Sequence, residues 1–171
     1  GFAGRNISEV LMKIRLAFIR VLATLPIVAL ALAGAAASAR NAPDFTLPTP
    51  EGKHIVLSSL RGKLVVIEFL QTTCPHCQRA GQILQKLYLD NADRMEIVGI
   101  SHDAMGMAAI RKYKEEHNLS YPVVLGDLSV AVNYLGISPQ RPNFHVPVFF
   151  FIGPDGLVLL DLWQPSMGVR R

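Results

Sequence analysis

Leu64-Val65-Val66-Ile67-Glu68-Phe69 runs through Leu70-Gln71-Thr72-Thr73 into Cys74-Pro75-His76-Cys77, and this stretch decides the fold. A continuous apolar run of this length reads as a strand buried on both faces, the kind that sits inside a parallel sheet. After a short loop, Pro75 to Asp90 carries apolar residues at helical spacing (Ala80, Ile83, Leu84, Leu87). Pro75 suits the first helical turn, where its missing N–H would have had no partner. Cys74 therefore stands where a buried strand turns into a helix. Unpaired amides and the positive end of the helix dipole favour a thiolate there. Cys77, three residues on, shares its helix face and lies within disulfide range. Cys74 is then the exposed attacking sulfur and Cys77 the buried resolving one. His76 can add positive charge beside the thiolate, so Pro75 and His76 tune the centre. A stabilised thiolate is a stabilised reduced form, which makes an oxidising pair.

Outward from this centre the pattern alternates. Asp44 to Leu47, a turn to Gly52, and His54 to Leu57 read as an N-terminal hairpin. Met95 to Ile100 is a second strand, Ala104 to His117 an amphipathic helix, and Tyr121 to Leu125 a short strand. Leu128 to Leu135 is a helix closed by Gly136, and Val148 to Ile152 with Leu157 to Leu162 forms a closing hairpin around Gly153-Pro154-Asp155-Gly156. This order predicts an α/β fold: a central mixed β-sheet flanked by helices, with right-handed crossovers. Beyond Leu162, Pro165 and Gly168 leave little room for a closing helix, so the final helix of such a fold is expected to be missing.

The chain has 171 residues and a formal charge of +4. Residues 1–39 hold Arg5, Lys13, Arg15 and Arg20 against Glu9, so residues 40–171, the expected folded domain, are close to neutral. No basic face points to nucleic acid. Met12-Lys13-Ile14-Arg15, the apolar run Val21 to Ala33, and Ala37-Ser38-Ala39 make a secretory signal peptide over residues 1–39, with 1–11 as a non-native stretch ahead of Met12. Left uncleaved, Leu16 to Ala37 is nearly long enough to anchor the domain in a bilayer, although Arg20 and Pro26 interrupt it. Either way the domain is expected outside the cytoplasm, in the periplasm or anchored facing it.

Two cysteines in a secreted chain can form a plain structural bridge. A loop this short, however, removes only about 2 kcal/mol of unfolded-state entropy. Half a zinc site is the other bland reading; zinc wants four ligands, and the five histidines at 54, 76, 102, 117 and 145 are scattered. No metal and no cofactor beyond a redox-active disulfide is expected. Glu68 interrupts an apolar strand six residues before Cys74, where a buried carboxyl could exchange a proton with Cys77. The plain alternative is a strand-end Glu paired with a Lys or Arg such as Lys63. Pro147 starts the Val148 to Ile152 strand. A cis Val146–Pro147 bond would offer a backbone edge at Val146 to a substrate chain beside Cys74, and a trans proline at a loop end reads equally well. His102, Asp103 and His145 carry no assignment.

With these features placed, the chain resembles the thioredoxin superfamily, in particular its TlpA/ResA-like, redoxin (AhpC/TSA-type) branch, over Ala42 to Leu162. Ala42-Pro43-Asp44-Phe45-Thr46-Leu47, Gly52-Lys53 and Leu57-Ser58-Ser59-Leu60-Arg61-Gly62-Lys63 resemble that branch's opening segment, and Val98-Gly99-Ile100-Ser101 with Asp103 its second core strand. Cys74-Pro75-His76-Cys77 and Val146-Pro147 look like a DsbA-type oxidant. The resemblance implies a thioredoxin-like fold with Cys74 as nucleophile, Cys77 as resolver, Glu68 as buried carboxylate and Pro147 as cis-proline. Thr73 stands where TlpA-like proteins usually have Trp. The framework implies a reductase and the dipeptide an oxidant.

The expected activity is thiol–disulfide exchange with secreted or membrane proteins, with a membrane redox partner resetting the pair. A peroxiredoxin is the second enzymatic reading, although Leu70 stands where that family places Pro. A copper chaperone using both thiolates and His145 is the non-enzymatic one, although such proteins typically space their thiols three residues apart.

Overall fold

A computed structural model describes residues 40–162. The expected signal segment, 1–39, and the stretch 163–171, where the closing helix was judged missing, lie outside the described residues.

Strand β3 (Leu64–Leu70) is the axis of the domain, buried along its length apart from Leu64. It pairs in parallel with β4 (Met95–Ser101) and antiparallel with β6 (Val148–Ile152). Strands β5 (Val123–Leu125) and β7 (Val158–Asp161) are the edges, giving the order β5-β4-β3-β6-β7. The sheet is mixed, as the sequence pattern predicts. A separate antiparallel pair, β1 (Thr46–Pro48) and β2 (His54–Val56), forms the N-terminal hairpin.

Among the described residues three α-helices flank the sheet: α1 (Pro75–Asn91), α2 (Gly106–Glu116) and α3 (Leu128–Leu135). Alternation along β3 divides the core in two. Val65, Ile67 and Phe69 face α3 and the hairpin, meeting Tyr134, Leu135, Phe45 and Leu47. Val66 and Leu70 face α1 and α2, meeting Leu84, Ile110 and Tyr113. Glu68 shares the Val66 and Leu70 side of the strand, and so faces the redox helix.

Several boundaries shift by one or two residues from expectation, and two of the shifts have an identifiable cause. Helix α2 starts at Gly106 rather than Ala104, because the Asp103 side chain accepts from Thr72 and Ser101 and leaves the helix without a side-chain cap. Strand β5 begins at Val123 rather than Tyr121, since Pro122 has no N–H to give to a ladder. Helix α3 has the expected bounds, with Gly136 closing it in the left-handed conformation at φ 59°; at its start Asp127 Oδ1 accepts from Val130 N–H at 2.8 Å.

Candidate active site

Cys74 is the N-cap of α1. Its carbonyl accepts from Gln78 N–H at 3.0 Å, and its Sγ receives the Cys77 N–H at 3.4 Å. Both cysteines are thiols in this structure; Cys74 is half-buried and Cys77 fully buried. Burial pushes the Cys74 thiol up, but the Cys77 thiol and amide, the His76 amide and the Arg79 charge together bring it below the ordinary cysteine value. Cys77 moves strongly the other way, first by burial and then through its hydrogen bond with Cys74. One helical turn thus separates a ready nucleophile from a thiol that holds its proton.

The tuning dipeptide has a basic neighbour that the sequence reading passed over. Arg79 Nη2 lies 2.8 Å from His76 Nδ1. A guanidinium only donates, so Nδ1 is the acceptor in this contact. The His76 backbone amide and the Arg79 charge both favour the Cys74 thiolate. Pro75 sits at the first helical position, as its fixed φ favours.

The loop before the nucleophile is held from three sides. Asp103 Oδ2 accepts from Thr72 N–H at 2.9 Å, Gln78 Nε2 donates to the Thr72 carbonyl at 2.9 Å, and Cys74 N–H donates to the Gln71 carbonyl at 3.0 Å. Asp103 carries no assignment from sequence, and neither does Gln78. A carboxylate just past a strand end, level with a redox loop, is the signal that could have found the first.

Glu68 is fully buried, and neither carboxylate oxygen has a hydrogen-bond partner. Its register partners are Gly99 on β4 and Phe149 on β6. Burial, followed by the Cys74 charge, raises it to about 8; the nearby Tyr121 hydroxyl offsets only part of that. The plain reading of a surface pair with Lys63 does not hold, because Lys63 instead approaches Glu96 at 3.8 Å and donates to the Ala92 carbonyl.

The Val146–Pro147 bond is cis, and the Val146 carbonyl lies 3.9 Å from Cys74 Sγ. The fold therefore brings Cys74, Cys77, Glu68 and Val146-Pro147 to one end of the sheet, from α1, β3 and the start of β6. His102 goes elsewhere: its ring stacks on Phe69 at 5.8 Å and meets Phe144 edge-on. Among the described residues no three His, Cys, Asp or Glu side chains gather as a metal-holding group.

The AhpC/TSA family profile matches residues 39–160, most of the chain. The chain belongs to the AhpC/TSA family. Its curated relatives include the thiol-disulfide oxidoreductase ResA of Bacillus thuringiensis (strain Al Hakam), 27% identical over 121 residues that cover 70% of this chain and 66% of that protein. ResA of Bacillus subtilis (strain 168) is 28% identical over 120 residues, 70% of this chain and 63% of the relative. This AhpC/TSA chain thus spans about two thirds of the length of the curated relatives it matches. Among solved structures, a thiol:disulfide interchange protein of the thioredoxin family from Chlorobium tepidum TLS superposes with a TM-score of 0.67 at 25% identity, covering 77% of this chain and 90% of its own. Family, fold and relatives place the chain in the ResA-like part of the thioredoxin superfamily, among the oxidoreductases.

Proposed function

We propose that the chain is a protein thiol–disulfide oxidoreductase working through Cys74 and Cys77. The observation that carries this reading is the asymmetry of the pair: a half-buried Cys74 held toward its thiolate at a helix start, and one turn on a buried Cys77 held toward its thiol.

In the reducing direction, the Cys74 thiolate attacks a substrate disulfide and forms a mixed disulfide, releasing one substrate thiolate. Cys77 then gives its proton to Glu68 and attacks Cys74 Sγ. The Cys74–Cys77 disulfide forms and the second substrate thiolate leaves. Two electrons have passed from the pair to the substrate. The oxidising direction reverses each step.

The position of Glu68 suits the middle step. The Cys74 charge helps to keep the carboxyl protonated. Once Cys74 is tied in a mixed disulfide that charge is gone, and Glu68 ionises more readily when Cys77 needs a base. The substrate chain is placed against Val146, whose carbonyl faces Cys74 just ahead of the β6 ladder.

Substrates on this reading are secreted or membrane proteins, and a membrane redox partner resets the pair. Support for an extracytoplasmic site comes from the signal-like composition of residues 1–39. Among the described residues no helix is long and apolar enough to cross a membrane. The test is insulin reduction. Cys74→Ser is expected to abolish it, and Cys77→Ser to accumulate a mixed disulfide visible on non-reducing gels. Full turnover by Cys74→Ser sinks the assignment.

A further inference from the structure

Gln71, Thr72 and Thr73 carry the chain from the end of β3 to the nucleophile, and the Cys74 N–H returns to the Gln71 carbonyl at 3.0 Å. That bond makes Gln71 to Cys74 a β-turn with Thr72 and Thr73 as its central residues. Cys74 is thus the last residue of the turn and also the N-cap of α1. Rotation of the turn's peptides would carry the Cys74 sulfur away from the Cys77 N–H, 3.4 Å from it, and from the Val146 carbonyl at 3.9 Å. The closing bond alone does not fix the central peptides of a turn.

Two side chains from other elements do so here. Asp103, in the connection from β4 to α2, accepts the Thr72 N–H on Oδ2 at 2.9 Å across 31 positions of chain. Ser101, buried at the end of β4, donates its hydroxyl to the same oxygen and steadies the carboxylate. Gln78, in the first turn of α1, donates Nε2 to the Thr72 carbonyl at 2.9 Å. The Thr72 backbone is therefore gripped on both sides, from β4 and from α1.

Thr72 is buried, and a buried backbone needs partners wherever it lies. Two features go beyond that need. Asp103 stands just before α2, yet its carboxylate turns to the redox loop and α2 has no side-chain cap. The Asp103 carbonyl meanwhile accepts the Gly106 N–H at 2.9 Å, so one residue ties the start of α2 to the turn that presents the nucleophile.

We propose that Asp103 and Gln78 are positioning residues for Cys74: together they lock the Thr72 backbone and so set where the attacking sulfur stands. The proposal rests on the exchange reading above. Both side chains act through the backbone of the turn, which orders the attack geometry before a substrate arrives.

The test is a single turnover of the reduced full chain with oxidised glutathione, in which the first glutathione thiol released reports attack by Cys74. Asp103→Ala is expected to slow that release at least about tenfold. It should also move the Cys74 titration, followed by thiolate ultraviolet absorbance, to higher pH, because the sulfur loses its hold on the Cys77 N–H. Asp103→Asn keeps an acceptor oxygen for the Thr72 N–H and should recover most of both. Gln78→Met keeps the side chain's length without its donor, at a half-buried helix position, and should move both readouts in the same direction as Asp103→Ala. It carries the test if Asp103→Ala does not fold. A first release and a titration like the unaltered chain's in either Asp103→Ala or Gln78→Met overturn the proposal, even where Tm has fallen. So does an Asp103→Asn chain as slow as Asp103→Ala. Failure of the exchange reading itself shows separately, as a Cys74→Ser chain that still releases glutathione.

Discussion

Glu68 sits at about 8 with an ordinary value of 4.5, so between those values the folded chain holds a proton that the unfolded chain has lost. Stability therefore falls as pH rises through that window. Below about pH 4.5 the carboxyl is neutral in both states and costs nothing on this account. Glu68→Gln is neutral throughout and should remove the fall, making the chain more stable at pH 8 by up to a few kcal/mol while leaving pH 4.5 nearly unchanged. Urea unfolding of the reduced protein at both pH values checks this, and a parallel fall in Glu68→Gln contradicts it. Glu68 was legible in sequence because a carboxylate in an apolar strand is anomalous. Tyr121 was not, since an aromatic at a core position looks like core and its hydroxyl leaves no trace in hydrophobic periodicity. Arg79 hid for another reason: a basic residue on a helix is ordinarily solvated, and only its 2.8 Å approach to His76 makes it part of the centre.

Helix α1 shows how far element-scale reasoning reaches. Its start at Pro75, its buried face at Cys77 and Leu84, and its strand-to-helix placement follow from spacing alone. The boundaries of α2 and β5 did not, because each depends on where one group is already committed: Asp103 to the redox loop, and Pro122 to having no N–H. Gly81 is the sharpest case. Helix propensity predicts that Gly81→Ala stabilises α1 by up to about 1 kcal/mol. The 2.5 Å approach of the Tyr113 hydroxyl predicts the reverse, since overpacking a core costs about 1–3 kcal/mol. We expect the contact to win, because the hydroxyl is pinned to the Cys77 carbonyl and cannot swing away freely. Gly81→Ala should lower the urea midpoint, and the loss should shrink when Tyr113→Phe is added, as coupled neighbours require. A more stable Gly81→Ala chain would mean that the helix preference dominates.

For the molecule as a whole, thiol chemistry and stability are one account. Unfolding the reduced and the oxidised chain closes a cycle with the reduction potentials of the folded and unfolded pair, so whatever favours the folded thiolate favours the reduced fold. Cys74 lies below its ordinary 9.0, so its contribution is fully present near pH 9 and is lost as pH falls through the folded value. Cys77 lies far above 9.0 and opposes the reduced fold only above that pH. Burial of Glu68 is common to both redox forms and cancels; what remains is its repulsion from the Cys74 thiolate, which grows as the carboxyl ionises near pH 8. The reduced chain should therefore gain stability over the oxidised chain as pH rises toward 9, and repulsion from the ionising Glu68 near pH 8 should reduce that gain. Guanidinium midpoints of both forms at each pH measure it. The same thiolate makes the folded pair more oxidising than the unfolded pair. An oxidised chain that is the more stable form at every pH would show that strain or packing elsewhere, rather than the charge held at the start of α1, sets the direction of exchange.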